Sequence, residues 1–119
     1  MPSSRLRLAR DPALGLIVRI FIGSVAERSN ILEAVRDDLR LAASELFAEA
    51  VEAGQADTVT FEVSSGATGL ELRAEGVYAP DVAGSVAPEG WTGRFELIRA
   101  LFPDAEVGET VRIHIPVLA

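Results

Sequence analysis

Glu45 and Glu49 are the first residues whose type and spacing ask for an explanation. They stand four apart in the stretch Asp37 to Gly54, DDLRLAASELFAEAVEAG. Its apolar residues Leu39, Ala42, Ala43, Leu46 and Ala50 recur at steps of three and four, the period of a helix with one buried face. The two carboxylates then lie one turn apart on another face. There they repel at a cost of about 0.2–0.5 kcal/mol in an isolated helix. Nothing local requires the pair, so it is the first candidate for a site. The competing reading is a solvated acidic face. Asp37 or Asp38 is expected to cap the helix start, and Gly54 to take the left-handed position past its end.

The rest of the composition narrows the chemistry. There are no cysteines, which excludes disulfides and thiolate metal sites. Any metal would rest on carboxylates and the single His114. All 11 basic residues are arginine, so a P-loop lysine, a Schiff base and a lysine base are excluded. The net charge of −7 argues against nucleic acid as a partner, though not against a nucleotide held in a local site. The apolar runs Ala13–Val18 and Ile20–Gly23 are short and broken by Arg19, which argues against a membrane span. Met1–Arg10 lacks the apolar core of a secretory signal, so the expected compartment is the cytoplasm.

The elements that must position Glu45 and Glu49 follow from the pattern. Arg5–Ala9 alternates as a strand. Asp11-Pro12 is a cap followed by proline at the first helical position. LGLIVRIFIGSVAER has strand-like β-branched content, yet Leu14, Ile17, Val18, Phe21 and Val25 form a helical stripe. Its ends favour a helix over Pro12–Arg28, with Ser29–Arg36 as a connection that has room for a helical turn. Thr58–Ser64 and Leu70–Arg73 alternate as a hairpin around a turn at Ser65–Gly69. Val77–Gly90, with two prolines and two glycines, reads as a long loop. Thr92–Phe102 reads as a short helix stopped by Pro103, Ala105–Val107 as a short strand, and Gly108 as a turn. Thr110–Val117 alternates, with Val111, Ile113 and Ile115 inward, and Pro116 marks an edge or strand end. Residues 1–119 are expected to form one domain. The expected fold is α+β: a two-layer α/β sandwich, its sheet mixed but mostly antiparallel, with helices on one face.

With these elements in place the chain resembles the ATP-binding (GHKL) domain shared by histidine kinases and gyrase. It is most similar to the anti-sigma-factor serine kinases of bacteria, over nearly its whole length. That family carries a helix close to S-E-x-x-x-N-A-x-x-H, and this chain has Ser44-Glu45-Leu46-Phe47-Ala48-Glu49-Ala50-Val51-Glu52-Ala53. Asp38–Ala43 and VRIFIGSVAERS fit the preceding segments. The resemblance implies a Bergerat-type fold and makes Glu45 the candidate catalytic base.

The departures bear on function. The family's magnesium-binding asparagine is Glu49, and its histidine-like position is Ala53. The D-x-G motif that reads adenine is Ala74-Glu75-Gly76, so the side-chain acceptor is missing. The G-x-G-L phosphate turn is Thr92-Gly93-Arg94-Phe95, with one glycine of two. The lid is shortened to about Tyr78–Gly90. Within these motifs Gly76 and Gly93 also have a turn-geometry reading; Trp91 reads as a lid or core anchor, and His114 as solvated.

The resemblance therefore implies a degenerate ATPase-type module in bacterial transcription regulation. It would bind a sigma factor or its antagonist by partner switching, with ATP and magnesium binding weak or lost. One alternative is an active ATP-dependent serine kinase using Glu45 as base and Glu49 on magnesium. Another is a structural homodimer with the first helix partly exposed at its interface. In either nucleotide reading Glu45 and Glu49 face the cleft toward Ala74–Gly93.

Overall fold

The structure, a computed structural model, describes residues 3–53, 56–77, 93–108 and 110–116. In chain order the elements are β1 (Ser3–Ala9), a short 3-10 turn (Pro12–Leu14), α1 (Gly15–Glu27), α2 (Glu33–Ala53), β2 (Thr58–Gly66), β3 (Gly69–Glu75), α3 (Gly93–Leu101) and β4 (Thr110–Ile115). The strands form one open sheet in the order β1-β2-β3-β4. Every pairing is antiparallel among the described residues, so the mixed sheet expected from the sequence is a wholly antiparallel one. With the helices covering one face, this is a two-layer α+β sandwich.

The segment that looked like either strand or helix is a helix. Asp11 caps the turn before it, its carboxylate accepting from the Ala13 N–H at 2.9 Å, and Pro12 stands at the first position. From there α1 buries Val18, Ile22 and Ala26.

The expected start of α2 is wrong. The helix begins at Glu33, so Asp37 and Asp38 lie inside it and cap nothing. The Arg36 N–H already donates to the Leu32 carbonyl at 3.0 Å, and Ile31 is buried at the entry. Burial of Ile31 and half-burial of Val35 carry the helix back by more than a turn. Asp37 pairs instead with Arg40 on the outer face. Gly54 lies outside the described residues.

Leu39, Ala42, Ala43, Leu46, Phe47 and Ala50 of α2 are buried against the sheet. The sheet presents Val59, Phe61 and Val63, then Leu70, Leu72 and Ala74, then Val111, Ile113 and Ile115. Phe47 and Phe61 meet with ring centroids 6.5 Å apart at a tilt of 48°. Fully burying such a side chain stabilises the fold by about 1.5–3 kcal/mol. On the open face, register aligns Arg5, Glu62, Arg73 and Arg112 across the four strands. Glu62 lies 3.5 Å from Arg73 and 3.9 Å from Arg5.

The hairpin turn is tighter than expected, since Gly66 pairs with Gly69 around Ala67 and Thr68. The expected strand at Ala105–Val107 shrinks to a single bridge between Glu106 and Arg112. β4 is a sheet edge, and Pro116 follows it. The lid residues Tyr78–Gly90, Trp91 and Thr92 lie outside the described residues.

Candidate functional site

Glu45 and Glu49 lie on the side of α2 that faces α3, and what they meet is Arg94. The Arg94 Nε is 3.3 Å from Glu45 Oε1, and one of its terminal nitrogens is 3.4 Å from Glu49 Oε1. A third carboxylate joins them. Glu52 accepts a two-pronged hydrogen bond from Arg94 at 2.8 and 2.9 Å. Such a fork is the strong geometry for an arginine–carboxylate pair.

Three acidic side chains stepping by four and three along one helix repel one another. Arg94, the second residue of α3, offsets that repulsion. A cation there opposes the positive end of the α3 dipole, and the carboxylates offset that too. The like-charged pair in the sequence is thus the half of an ion-pair cluster that lies on α2. Counting these four groups, the cluster keeps a net negative charge.

Burial separates the three carboxylates. The Glu49 side chain is 7% exposed, Glu45 30% and Glu52 62%. Glu49 is the one buried charged residue of the described core. The hydrogen bond from Arg94, and then its charge, hold the Glu52 carboxyl below its ordinary range. Reciprocally, the Glu52 hydrogen bond holds the Arg94 guanidinium still more firmly protonated.

The other motif positions fall elsewhere. Ala74 is fully buried in the sheet, paired in register with Phe61 and Val111. Gly76 follows β3 with φ at +90°, where a Cβ would run into the Thr58 carbonyl. This conformation suits glycine and accounts for Gly76 by turn geometry. Gly93 is the first residue of α3 and Ala53 the last of α2. The arrangement brings together Glu45, Glu49 and Arg94, and leaves Ala74 and Gly76 outside their cluster.

No protein-family model matches the chain, and no curated protein matches it either.

For chemistry, the Glu45 oxygen that a general base would use is directed at the Arg94 Nε. Among the described residues no group of three or more acidic or histidine side chains is arranged to hold a metal ion. Magnesium requires close octahedral oxygen ligation. Glu49 is buried against a guanidinium, so these residues do not fit that ion. His114 is exposed on β4 and lines an open, mostly apolar groove with Ile31, Leu32, Val35 and Phe102. Glu52 was the residue the sequence reading missed. Its signal was the continuation of the same stripe, three residues beyond Glu49.

Proposed function

We propose that this chain is a regulatory protein-interaction domain of the anti-sigma kind, in which the nucleotide site is vestigial and ATP binding is weak or lost. The observation that carries the reading is the occupation of Arg94. It is the one cation of the motif that would hold phosphate, and it is already spanned by Glu45, Glu49 and Glu52. A triphosphate entering here would meet three carboxylates and would have to displace the Glu52 fork. The position of Ala74 supports the same reading. Its neighbours are core side chains, and it offers no acceptor for an adenine amino group. What persists is a well-packed scaffold, which suits recognition of a sigma factor or its antagonist.

Thermal unfolding with magnesium and ATP tests this. A ligand that binds only the folded state at a hundred times its dissociation constant adds about 2.7 kcal/mol. For a chain of this size that is a shift of roughly ten degrees. We expect a shift of no more than about one degree at millimolar ATP. A shift near ten degrees would overturn the proposal and favour an active serine kinase with Glu45 as its base.

A further inference from the structure

The inner face of the sheet changes character at one end. β1 sets Leu8 and Leu6 on the core side, opposite Val59 and Phe61, and the next residue of that alternation is Ser4. β2 runs Val59, Phe61 and Val63 on the same face and then Ser65. In register Ser4 stands opposite Val63. Two adjacent strands therefore break the apolar pattern at the same end, on the face that the rest of the sheet buries. Such a break in a pattern that is otherwise consistent points to function rather than packing.

It leaves a pocket of about 330 Å³ under the last turn of α1. That is near the lower end of small-molecule sites, which run from about 300 to 1,000 Å³. The strands line it with Ser3, Ser4 and Ser65, and the end of α1 adds Ser24, Arg28 and Ser29. Buried Val63 and half-buried Val25 give it an apolar side. None of its described lining residues is acidic, in a chain with 18 acidic residues. Its charge is the Arg28 guanidinium, which is exposed and which no described ion pair engages. Ser29 donates its hydroxyl proton to the Val25 carbonyl at 3.4 Å. The hydroxyls of Ser3, Ser4, Ser24 and Ser65 have no partner among the described residues, so four O–H donors share the pocket with one forked cation.

We propose that this pocket binds a phosphate group, free or carried by a small alcohol, with Arg28 as its counter-ion and the serine hydroxyls as further donors. A guanidinium presents two parallel N–H groups to two phosphate oxygens, and hydroxyls donate to the rest. The negative end of the α1 dipole opposes an anion here. Its effect is limited because the Val25 and Ala26 carbonyls already accept from the Arg28 and Ser29 N–H groups. With one cation, and that one exposed, binding is reversible and of millimolar strength. The site shares no residue with the Arg94 cluster and does not rest on the nucleotide reading.

Backbone amide NMR of the isotope-labelled full chain, titrated with inorganic phosphate against sodium chloride of equal ionic strength, tests it. The expected result is a set of saturable shifts centred on Ser4, Ser24, Arg28, Ser29 and Ser65. Glycerol phosphate is titrated in the same way. Tighter binding than inorganic phosphate assigns the pocket to a phosphomonoester whose carbon part meets Val25 and Val63, and equal affinity assigns it to free phosphate; either supports the proposal. Arg28→Gln weakens binding by roughly tenfold or more, and Arg28→Lys by less. Ser4→Leu continues the apolar face of β1 into the pocket and abolishes binding, with a melting temperature no lower than wild type. Arg28 is exposed, so Arg28→Gln reads binding without disturbing the fold should Ser4→Leu fail to fold. Arg94→Ala leaves the phosphate affinity unchanged, which separates this site from the nucleotide motif. Shifts that do not saturate, that chloride reproduces, or that Arg28→Gln leaves unchanged overturn the proposal.

Discussion

Arg94→Ala removes the cation that Glu45, Glu49 and Glu52 share, and its cost divides unevenly among them. At Glu52, 62% exposed, water replaces the guanidinium and the loss is small. At Glu49, 7% exposed, water has little access. Losing a hydrogen bond to a buried charged group costs about 1–3 kcal/mol. Removing a cation from the first turn of α3 returns a few tenths of a kcal/mol through the helix dipole. We therefore expect a net destabilisation of about 1–2 kcal/mol, a fall in melting temperature of roughly 4–8 °C for a chain of this length. Calorimetry of Arg94→Ala, Glu49→Gln, Glu52→Gln and the two double variants apportions the loss. Glu49→Gln should recover part of the Arg94→Ala loss, because it removes the buried charge that the guanidinium had offset. An Arg94→Ala protein melting within about one degree of wild type would refute the reasoning. So would a larger coupling to Glu52 than to Glu49.

Three further outcomes are expected. Ala74→Asp introduces the acceptor that the family resemblance would place there but buries a carboxylate beside Phe61 and Val111, so urea unfolding should show a loss of about 3–5 kcal/mol, with no ATP binding gained. Gly76→Ala should cost about 1–3 kcal/mol in the same assay, because φ of +90° and the nearby Thr58 carbonyl both oppose a Cβ. The lowered Glu52 pKa contributes stability that is present above its ordinary value of 4.5 and is lost as pH falls below it. Unfolding measured through that acidic range should show a slope that Arg94→Ala reduces and that added salt weakens.

The strands and their buried faces were legible because β2, β3 and β4 alternate cleanly, and alternation has one structural solution when one face is buried. α1 was legible only through its ends, since its β-branched interior reads equally as a strand. The start of α2 was not legible. Ile31 and Val35 reach the core from a segment whose own pattern resembles a connection, and tertiary burial decided the boundary. Of the site, the carboxylate pair stood out as a local repulsion without a local cause. The cause lay 45 residues on, at Arg94, and no periodicity within α2 points there. Glu52 could have been added by extending the stripe one step. The burial difference between Glu49 and Glu52 needed coordinates, because it depends on how α3 packs across α2.

Isothermal titration of the full chain with ATP and magnesium at millimolar concentration tests the central claim most directly, that Arg94 is held by Glu45, Glu49 and Glu52 rather than kept for phosphate. The account predicts no saturable heat, or at most a dissociation constant in the millimolar range. A saturable isotherm of micromolar affinity that is lost in Arg94→Ala would contradict it, because the guanidinium would then have left its carboxylates to bind the nucleotide.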